Sequence, residues 1–249
     1  MKKLLIILSL SFQVLFSFSQ AVENKGQDMV IKNISVITMT SETILKNQDV
    51  VIKNGKISSI STSKKSNYKD MLVIDGKGKY IMPSLADAHV HFPENDTEME
   101  RMMAFYLING VTKLRSLRGD WKHLDWRNTY NNKNAMYPKL YLSPPPISRQ
   151  HDFTAAEIED YVKTSKESGF DFIKILSIKD QATFMGFDEL SKKYELPIAG
   201  HFPANVPDEL IFNSNYTSFE HLGGLSGYPN SLEDRLQHIK ETNTFICPT

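Results

Sequence analysis

Short apolar, β-rich runs alternate with polar turns in three segments between residues 29 and 81, a pattern typical of β-strands. The three segments are MVIKNISVITM, QDVVIKNGKISSIS and MLVIDGKGKYI. Asn54-Gly55 separates two apolar runs and predicts a tight hairpin, and Asp75-Gly76 predicts a second turn. The pattern predicts a small, partial N-terminal β-sandwich module over residues 21–80.

Beyond Pro83 the pattern changes, and short apolar strands alternate with helical segments. The predicted strands are LADAHVHF, VTKLRSL, KLYLSPPPI, FDFIKILSI, LPIAGHF, YTSFEHL and TFICPT. The predicted helices are DTEMERMMAFYLING, TAAEIEDYVKTSKESG, DQATFMGFDELSKKYE and SLEDRLQHIKET. Such alternation is typical of βα units around a parallel sheet. Because a closed barrel has eight strands, these seven strands predict an α/β fold with an incomplete TIM-like (β/α) barrel over residues 81–249, its eighth strand missing.

Local signals mark where several helices begin and end. Thr154 and Glu157 have the spacing of a capping box, and a similar signal begins at Ser231. Gly110 and Gly169 lie where two helices are expected to stop.

The first twenty residues predict a secretory signal peptide. Lys2 and Lys3 precede an apolar run, and Ser17 and Ser19 take the small-residue positions of a cleavage site. A membrane anchor is the alternative, but the run is shorter than the roughly 20 apolar residues of a spanning helix and contains Ser and Gln. We therefore expect a signal peptide over residues 1–20, a periplasmic or secreted protein, and no stable membrane insertion.

Composition excludes some classes of partner. The chain has 249 residues with 29 Lys plus Arg and 29 Asp plus Glu, so no net charge favours nucleic acid. Hydrophobic residues make up 41%, enough for a sizeable core. Cys247 is the single cysteine, which rules out a disulfide within the chain. A homo-oligomer stays open, because the sequence does not set the oligomeric state.

Four histidines lie at the carboxyl ends of predicted strands. His89 and His91 are two residues apart on one strand and therefore face the same way. His201 and His221 end two later strands, and barrel active sites are built on that face. A lone histidine is more simply a buried, hydrogen-bonded residue. Four at equivalent positions indicate a site for a divalent metal, since imidazole is a common ligand for zinc, manganese, iron and nickel.

Lys174 is the fifth candidate. It shares a strand face with Phe172 and Leu176, which would place its amine among apolar side chains. Burial lowers the pKa of a lysine and makes the neutral amine accessible, so that it could react with carbon dioxide to give a carbamate that bridges two cations. The alternative is a lysine whose stem packs inside while its ammonium reaches solvent.

Taken in chain order, these residues resemble the amidohydrolase superfamily. A β-sheet module is followed by HVH at the first barrel strand, a lysine in FIKI at the fourth, a histidine in AGH at the fifth and one in EHL at the sixth. The resemblance runs from about residue 28 to residue 249. It is greatest to the branch of imidazolonepropionase-like hydrolases and Xaa-Pro dipeptidases.

The resemblance implies a two-metal site. His89 and His91 would hold the first ion, His201 and His221 the second, and Lys174 as a carbamate would bridge them. Two Zn²⁺ ions are implied first, with Mn²⁺, Fe²⁺ and Ni²⁺ open because the ligand types suit them all. A hydroxide shared by the two ions would attack a polarised carbonyl, with Lys174, His201 and His221 as catalytic residues.

The resemblance also implies the reaction, which is hydrolysis of carbon–nitrogen bonds in amides, peptides or cyclic amides. Relatives that deaminate rings usually carry a glutamate three residues after the fifth-strand histidine, whereas this chain has Ala204 there. Amide or peptide hydrolysis is therefore favoured over deamination. The implied substrate is a small molecule or a dipeptide.

Two departures from the family pattern lead to alternatives. The lead-in to the histidine pair reads PSLADAHVH in place of Pro-Gly-Leu-Ile-Asp. The family's aspartate at the end of the eighth strand, a metal ligand and general base, has no counterpart before Thr249, so we expect a C-terminally truncated chain. The alternatives are an inactive truncated fragment that binds metal or ligand without turnover, and a mononuclear hydrolase or deaminase that tolerates Lys174→Ala.

Five other residues carry weaker signals. His151 follows the third barrel strand and could contact substrate, although a loop histidine is more often solvated. Arg115 matches an arginine frequent in relatives and could equally be structural. His123 and His238 lie in probable helices and are predicted to be surface residues, and Cys247 is predicted to be a buried apolar thiol.

Overall fold

The computed structural model describes residues 27–64, 68–131, 137–226 and 232–249. The predicted signal peptide over residues 1–20 and the predicted helix start at Ser231 lie outside the described residues. The chain divides into two compact units, the first ending at Pro83 and the second comprising Ser84–Thr249. In the part of the chain that the structure describes, no helix is long and apolar enough to cross a membrane.

The first unit is a five-stranded sheet. Its strands are β1 (Met29–Ile37), β2 (Ile44–Lys53), β3 (Lys56–Thr62), β4 (Leu72–Asp75) and β5 (Tyr80–Ile81). They lie in the order β3-β2-β1-β4, and β5 also pairs with β1. Asn54 and Gly55 connect the antiparallel β2 and β3 with φ of 49° and 71°, the positive values of a two-residue hairpin turn. The predicted hairpin is thus confirmed, while the predicted sandwich stays a prediction.

The second unit alternates strands and helices. Its strands are β6 (Leu85–Val90), β7 (Val111–Ser116), β8 (Lys139–Tyr141), β9 (Ile173–Ile175), β10 (Ile198–Gly200), β11 (Tyr216–Glu220) and β12 (Phe245–Cys247). Its helices are α1 (Asp96–Ile108), α2 (His123–Asn131), α3 (Ala155–Glu167), α4 (Gln181–Lys193), α5 (Asp208–Phe212) and α6 (Leu232–Glu241). The predicted α/β class is therefore confirmed.

The strands of the second unit form two parallel sheets. One has the order β6-β7-β8 and the other β9-β10-β11-β12. Between β8 and β9, Ile147 bridges in parallel to Ile175 and donates its backbone N–H to the carbonyl of Lys174 at 2.8 Å. All carboxyl ends within one parallel sheet lie at the same edge, which is where the candidate residues were expected.

Apolar packing holds the strands of the second unit in place. Ile173 and Ile198, neighbours on β9 and β10, are fully buried. They belong to one core with Val162 of α3 and Phe187 of α4. A close-packed interior of this kind fixes the strand ends within narrow limits, because it deforms little.

Two helix signals match the structure. The Thr154 side chain accepts from the Glu157 N–H while the Glu157 carboxylate accepts from the Thr154 N–H, which is the predicted capping box. Gly110 and Gly169 follow α1 and α3 with φ of 77° and 90°. The left-handed backbone that often ends a helix favours glycine at both positions, as predicted.

The prediction that His123 is a surface residue was wrong. Only 3% of it is exposed, and its ring stacks on Trp126 with centroids 5.1 Å apart and meets the edge of Phe92 at 5.0 Å. His123, Trp126 and Tyr130 repeat at helical spacing along α2 and form its buried face. Burial lowers the pKa of His123 to about 4. His238 is exposed, as predicted.

Candidate metal centre

The structure brings the four candidate histidines together. His89 lies in β6 and His91 directly after it, and His201 and His221 directly follow β10 and β11. Ring centroids are 5.4 Å apart for His89 and His91, 4.7 Å for His89 and His221, and 5.1 Å for His201 and His221. The imidazoles therefore form one continuous cluster with members from both parallel sheets.

The backbone at two of these positions is unusual. Gly200, just before His201, has φ of 146°, and a Cβ there would lie 2.1 Å from the carbonyl oxygen of Ile175. Glycine is thus required for β10 to lie against β9 at this point. His221 has φ of 66°, a left-handed conformation that is uncommon for a residue with a side chain. Such conformations cluster at functional sites, where surrounding structure holds them.

Lys174 is buried beside the histidines. It is the middle residue of β9 and only 2% exposed. Burial lowers the pKa of Lys174 to about 8, an effect that Glu220 opposes and Arg115 reinforces. The positive charge of Lys174 in turn lowers the pKa of His91 and of His201. A buried lysine with a lowered pKa suits a lysine that reacts or is modified.

Two of the histidines, His91 and His201, are held in their neutral form. Burial, reinforced by the charges of Lys174 and His221, lowers the pKa of His201 to about 4. Burial also lowers the pKa of His91, together with the neighbouring His89 and Arg118. Neutral imidazole is the form that binds a metal, because the ligand nitrogen must carry a free lone pair.

Glu220 is a member of this cluster that the sequence reasoning missed. It is fully buried at the end of β11, and its Oε2 accepts a hydrogen bond from Nδ1 of His89 at 2.8 Å. Its Oε1 accepts from Nη1 of Arg115 at 2.8 Å and from the hydroxyl of Ser218 at 2.7 Å. Burial raises the pKa of Glu220, but the hydrogen bonds from His89 and Ser218 and the charge of Arg115 outweigh it, so that the pKa falls to about 2.

A sequence signal for Glu220 did exist. Ser218 and Glu220 share one face of a strand whose other residues include Tyr216 and Phe219, and β11 is largely buried. A charged residue in a buried strand needs a partner, because an unpaired buried charge is very costly. Arg115 is that partner, and it also packs over the ring of Phe172 with its Cζ 4.3 Å from the centroid.

Cys247 lies beside the same carboxylate. His89, Glu220 and Cys247 each have one atom that could bind a metal, and these three atoms lie within 4.8 Å of one another. Burial and the charge of Glu220 raise the pKa of the Cys247 thiol. The residue is half-buried next to a charged group, so the prediction of a simple apolar environment was wrong.

A cavity of about 480 Å³ opens next to the cluster. His201, His221 and Glu220 line it together with Arg149 and Lys179. His151 lies elsewhere, 58% exposed at its side chain, with its ring 4.3 Å from that of Phe153 and 3.7 Å from the Glu157 carboxylate.

The charges around this cavity are unequal. Lys179 forms an ion pair with Asp152, whereas the Arg149 guanidinium has no partner among the described residues. Glu220 is the one carboxylate in the described lining, and Arg115 already neutralises it. The cavity therefore offers one uncompensated cation to a bound molecule.

Three solved structures resemble this chain along most of its length. Bottromycin amidohydrolase matches with a TM-score of 0.69 at 18% identity, over 91% of this chain and 53% of that one. A Xaa-Pro dipeptidase with methionine bound in its active site matches with a TM-score of 0.71 at 18% identity, over 89% of this chain and 66% of that one. A prolidase complexed with N-methylphosphonate-L-proline matches with a TM-score of 0.68 at 15% identity, over 89% of this chain and 66% of that one.

This chain has the amidohydrolase fold. That fold agrees with the superfamily that the histidines and Lys174 resemble in sequence. No family model and no curated protein matches the sequence. The chain spans about 53% to 66% of the lengths of these three proteins.

The residues of this amidohydrolase fold suit a divalent metal. Four imidazoles lie in contact and at least two of them are held neutral. Nδ1 of His89 and Nδ1 of His221 are engaged, by Glu220 and by the Thr249 hydroxyl at 2.7 Å, which leaves Nε2 of each ring as the nitrogen that can bind a cation. Imidazole nitrogen ligands held this way are typical of zinc and similar ions.

Proposed function

We propose that the chain belongs to the amidohydrolase superfamily and is a metal-dependent hydrolase of carbon–nitrogen bonds. One observation carries the proposal, namely four clustered imidazoles near the carboxyl ends of strands, with the buried Lys174 of β9 beside them, in an amidohydrolase fold. Perturbed titratable groups gathered beside a cavity are typical of active sites.

We extend the proposal to the architecture. The seven parallel strands of the second unit would belong to an incomplete TIM-like (β/α) barrel over residues 81–249. The sheet of the first unit would be part of a β-sandwich module over residues 21–80. Export to the periplasm or the medium rests on the signal-peptide pattern of residues 1–20 alone.

In the proposed site His89 and His91 would hold one ion, and His201 and His221 would hold a second. The amine of Lys174 would add to carbon dioxide through its lone pair and release a proton to solvent, and the resulting carbamate would be a further ligand. Two divalent ions, Zn²⁺ first, would supply a hydroxide at neutral pH and polarise the carbonyl of the substrate. The lowered pKa of Lys174, about 8, supports this role because it raises the fraction of neutral amine.

The cavity supports a small acidic substrate. Arg149 lines it without a partner among the described residues, and guanidinium groups bind carboxylates in a bidentate manner. A dipeptide or an N-acyl amino acid would place its carboxylate on Arg149 and its amide bond near His201 and His221. The ligands of two structural neighbours, methionine and a phosphonate of proline, have the same general chemistry.

Turnover of dipeptides tests the proposal. The full chain, supplied with Zn²⁺ and bicarbonate, is expected to hydrolyse a panel of Xaa-Pro and N-acyl dipeptides, and N-methylphosphonate-L-proline is expected to inhibit it. His201→Ala should lose turnover, while His238→Ala, on the exposed surface of α6, should keep it. Failure of the metal-loaded wild type on every amide of the panel would contradict the proposal.

A further inference from the structure

We propose that Glu220 is a positioning residue that holds His89 in one tautomer and so presents its Nε2 to the metal. Arg115 and Ser218 in turn hold Glu220 in place. The inference rests on the proposed function, since it gives the buried carboxylate a task within that same site. It starts from the three hydrogen bonds to Glu220 and the closeness of His89 to the other imidazoles.

The hydrogen bonds define the tautomer. An ionised carboxylate can only accept, so Nδ1 of His89, 2.8 Å from Oε2 of Glu220, must carry the proton. The neutral ring then has its free lone pair on Nε2. Partners that fix a ligand histidine in this way typically change metal affinity by 10- to 100-fold when they are removed.

Arg115 and Ser218 decide which way the carboxylate faces. Both donate to Oε1, and Nη2 of Arg115 also donates to the Ser218 hydroxyl at 2.9 Å. Oε1 is therefore fully used, and Oε2 alone is left for His89. The resulting chain of hydrogen bonds runs from β7 through β11 to β6, and so crosses between the two parallel sheets.

A different use of the same atoms would be a metal site made of His89, Glu220 and Cys247. The geometry favours the positioning role instead. A cation at that place would lie next to the guanidinium of Arg115, which already occupies one oxygen of Glu220 at 2.8 Å. The second oxygen, Oε2, already accepts a hydrogen bond from Nδ1 of His89. A new cation would have to displace one of these two hydrogen bonds from a carboxylate that is fully buried.

The tautomer of His89 can be read directly in the wild type without metal. Long-range ¹H–¹⁵N correlation spectra of ¹⁵N-histidine-labelled protein distinguish the two ring nitrogens, and the His89 signals are assigned by their loss in His89→Gln. The expected result is a proton on Nδ1. A proton on Nε2 alone would overturn the proposal, and this reading needs no variant of Glu220 to fold.

Glu220→Gln should reverse the tautomer. Because Arg115 and Ser218 both donate, the glutamine carbonyl must face them, which turns the amide NH₂ towards His89. The ring would then accept at Nδ1 and carry its proton on Nε2, where the metal should bind. Co²⁺ titration, followed by visible absorption against a competing chelator, should show affinity about 10- to 100-fold weaker.

Cys247→Ser is the matched control. Its thiol lies within 4.8 Å of the ligand atoms of Glu220 and His89, but the proposal gives Cys247 no part in orienting the His89 ring. Co²⁺ affinity and the His89 tautomer should both stay as in the wild type. Loss of affinity in Cys247→Ser with none in Glu220→Gln would overturn the positioning role in favour of a cysteine ligand.

The outcomes separate this inference from the proposed function. Equal Co²⁺ affinity in wild type and Glu220→Gln would overturn the positioning role and leave the hydrolase proposal standing. Absence of Co²⁺ binding by the wild type would overturn both. Weaker binding together with the reversed tautomer supports both.

Discussion

Two buried arginine–carboxylate pairs lie in the second unit, and they differ in what surrounds them. Arg235 is 2% exposed and binds Asp208 through Nε at 2.7 Å and Nη2 at 3.0 Å. Its Nη1 donates to the carbonyl oxygens of Gly224 and Leu225. Arg115 binds Glu220 through Nη1 alone, at 2.8 Å, and there the carboxylate also accepts from a histidine.

Both arginines also lie over an aromatic ring, Arg235 over Phe202 at 4.7 Å and Arg115 over Phe172 at 4.3 Å. Charge and a cation–π contact are therefore common to the two pairs, although the Arg115 side chain is 21% exposed and that of Arg235 only 2%. What differs is that the Arg115 pair continues to His89, whose other ring nitrogen can bind a cation. A buried ion pair thus indicates a site only when its hydrogen bonds lead to an atom that is open to a ligand.

The largest expected effect is on the free energy of unfolding, and it distinguishes the Arg235–Asp208 pair from the Arg115–Glu220 pair. Arg235→Met removes a guanidinium that is 2% exposed and that makes four hydrogen bonds, and should lower the free energy of unfolding by about 3–5 kcal/mol. Metal content per folded chain should stay as in the wild type. Urea unfolding and metal analysis measure the two quantities.

Arg127→Met is the control for that prediction. Arg127 pairs with Asp171 at 2.9 Å, but both side chains are partly exposed. Such a pair contributes about 1 kcal/mol or less, so the loss should be much smaller. A loss of metal in Arg235→Met equal to that in Glu220→Gln would break the distinction between a structural and a positioning pair.

A third cation, Arg149, should act on the substrate and not on the fold. Because its guanidinium lines the cavity without a partner among the described residues, Arg149→Ala should raise KM for Xaa-Pro dipeptides by about 10-fold or more, the effect of one hydrogen bond to a charged group. Lys179→Ala, which removes a cation already paired with Asp152, should raise KM less.

Substrate amides sharpen this test. Xaa-Pro amides lack the carboxylate, so their KM should be nearly the same in the wild type and in Arg149→Ala. Steady-state kinetics on matched acid and amide substrates give both values. An equal rise in KM for acids and amides would show that Arg149 does not bind the carboxylate.

An effect that depends on pH concerns His123, whose pKa of about 4 equals that of His201 although it lies among aromatic residues. The folded-state pKa is below the ordinary value of 6.5, so the unfolded chain takes up the proton first as the pH falls. The resulting loss of stability begins below about pH 6.5 and amounts to about 2 kcal/mol between pH 7 and pH 5.

His123→Phe removes that contribution. The free energy of unfolding of this variant, measured with urea at several pH values, should fall about 2 kcal/mol less than that of the wild type between pH 7 and pH 5. The same fall in both proteins would contradict the assigned cause. Metal binding should not change, because His123 has no contact with the other histidines among the described residues.

Local signals were enough to predict much of this molecule. The hairpin at Asn54-Gly55 and the capping box at Thr154 depend on a few adjacent residues, and both match the structure. The closeness of His201 and His221 followed from one rule, that the carboxyl ends of parallel strands in one sheet lie at the same edge.

The parts that were missed depend on contacts between distant residues. Glu220 acquires its role from Arg115, 105 positions earlier, and from His89, 131 positions earlier. Neither separation leaves a pattern in a single sequence. The buried face of α2 was missed because it contains a histidine and a tyrosine beside one tryptophan, so its apolar stripe is weak.

Metal content tests the central claim most directly. The full chain, purified without chelator and analysed by plasma mass spectrometry, should retain about two divalent ions. Lys174→Ala should retain one or none, because the bridging carbamate cannot form. Lys163→Ala, an exposed lysine of α3, serves as the control and should retain two. No metal in the wild type, or two ions in both the wild type and Lys174→Ala, would contradict the account.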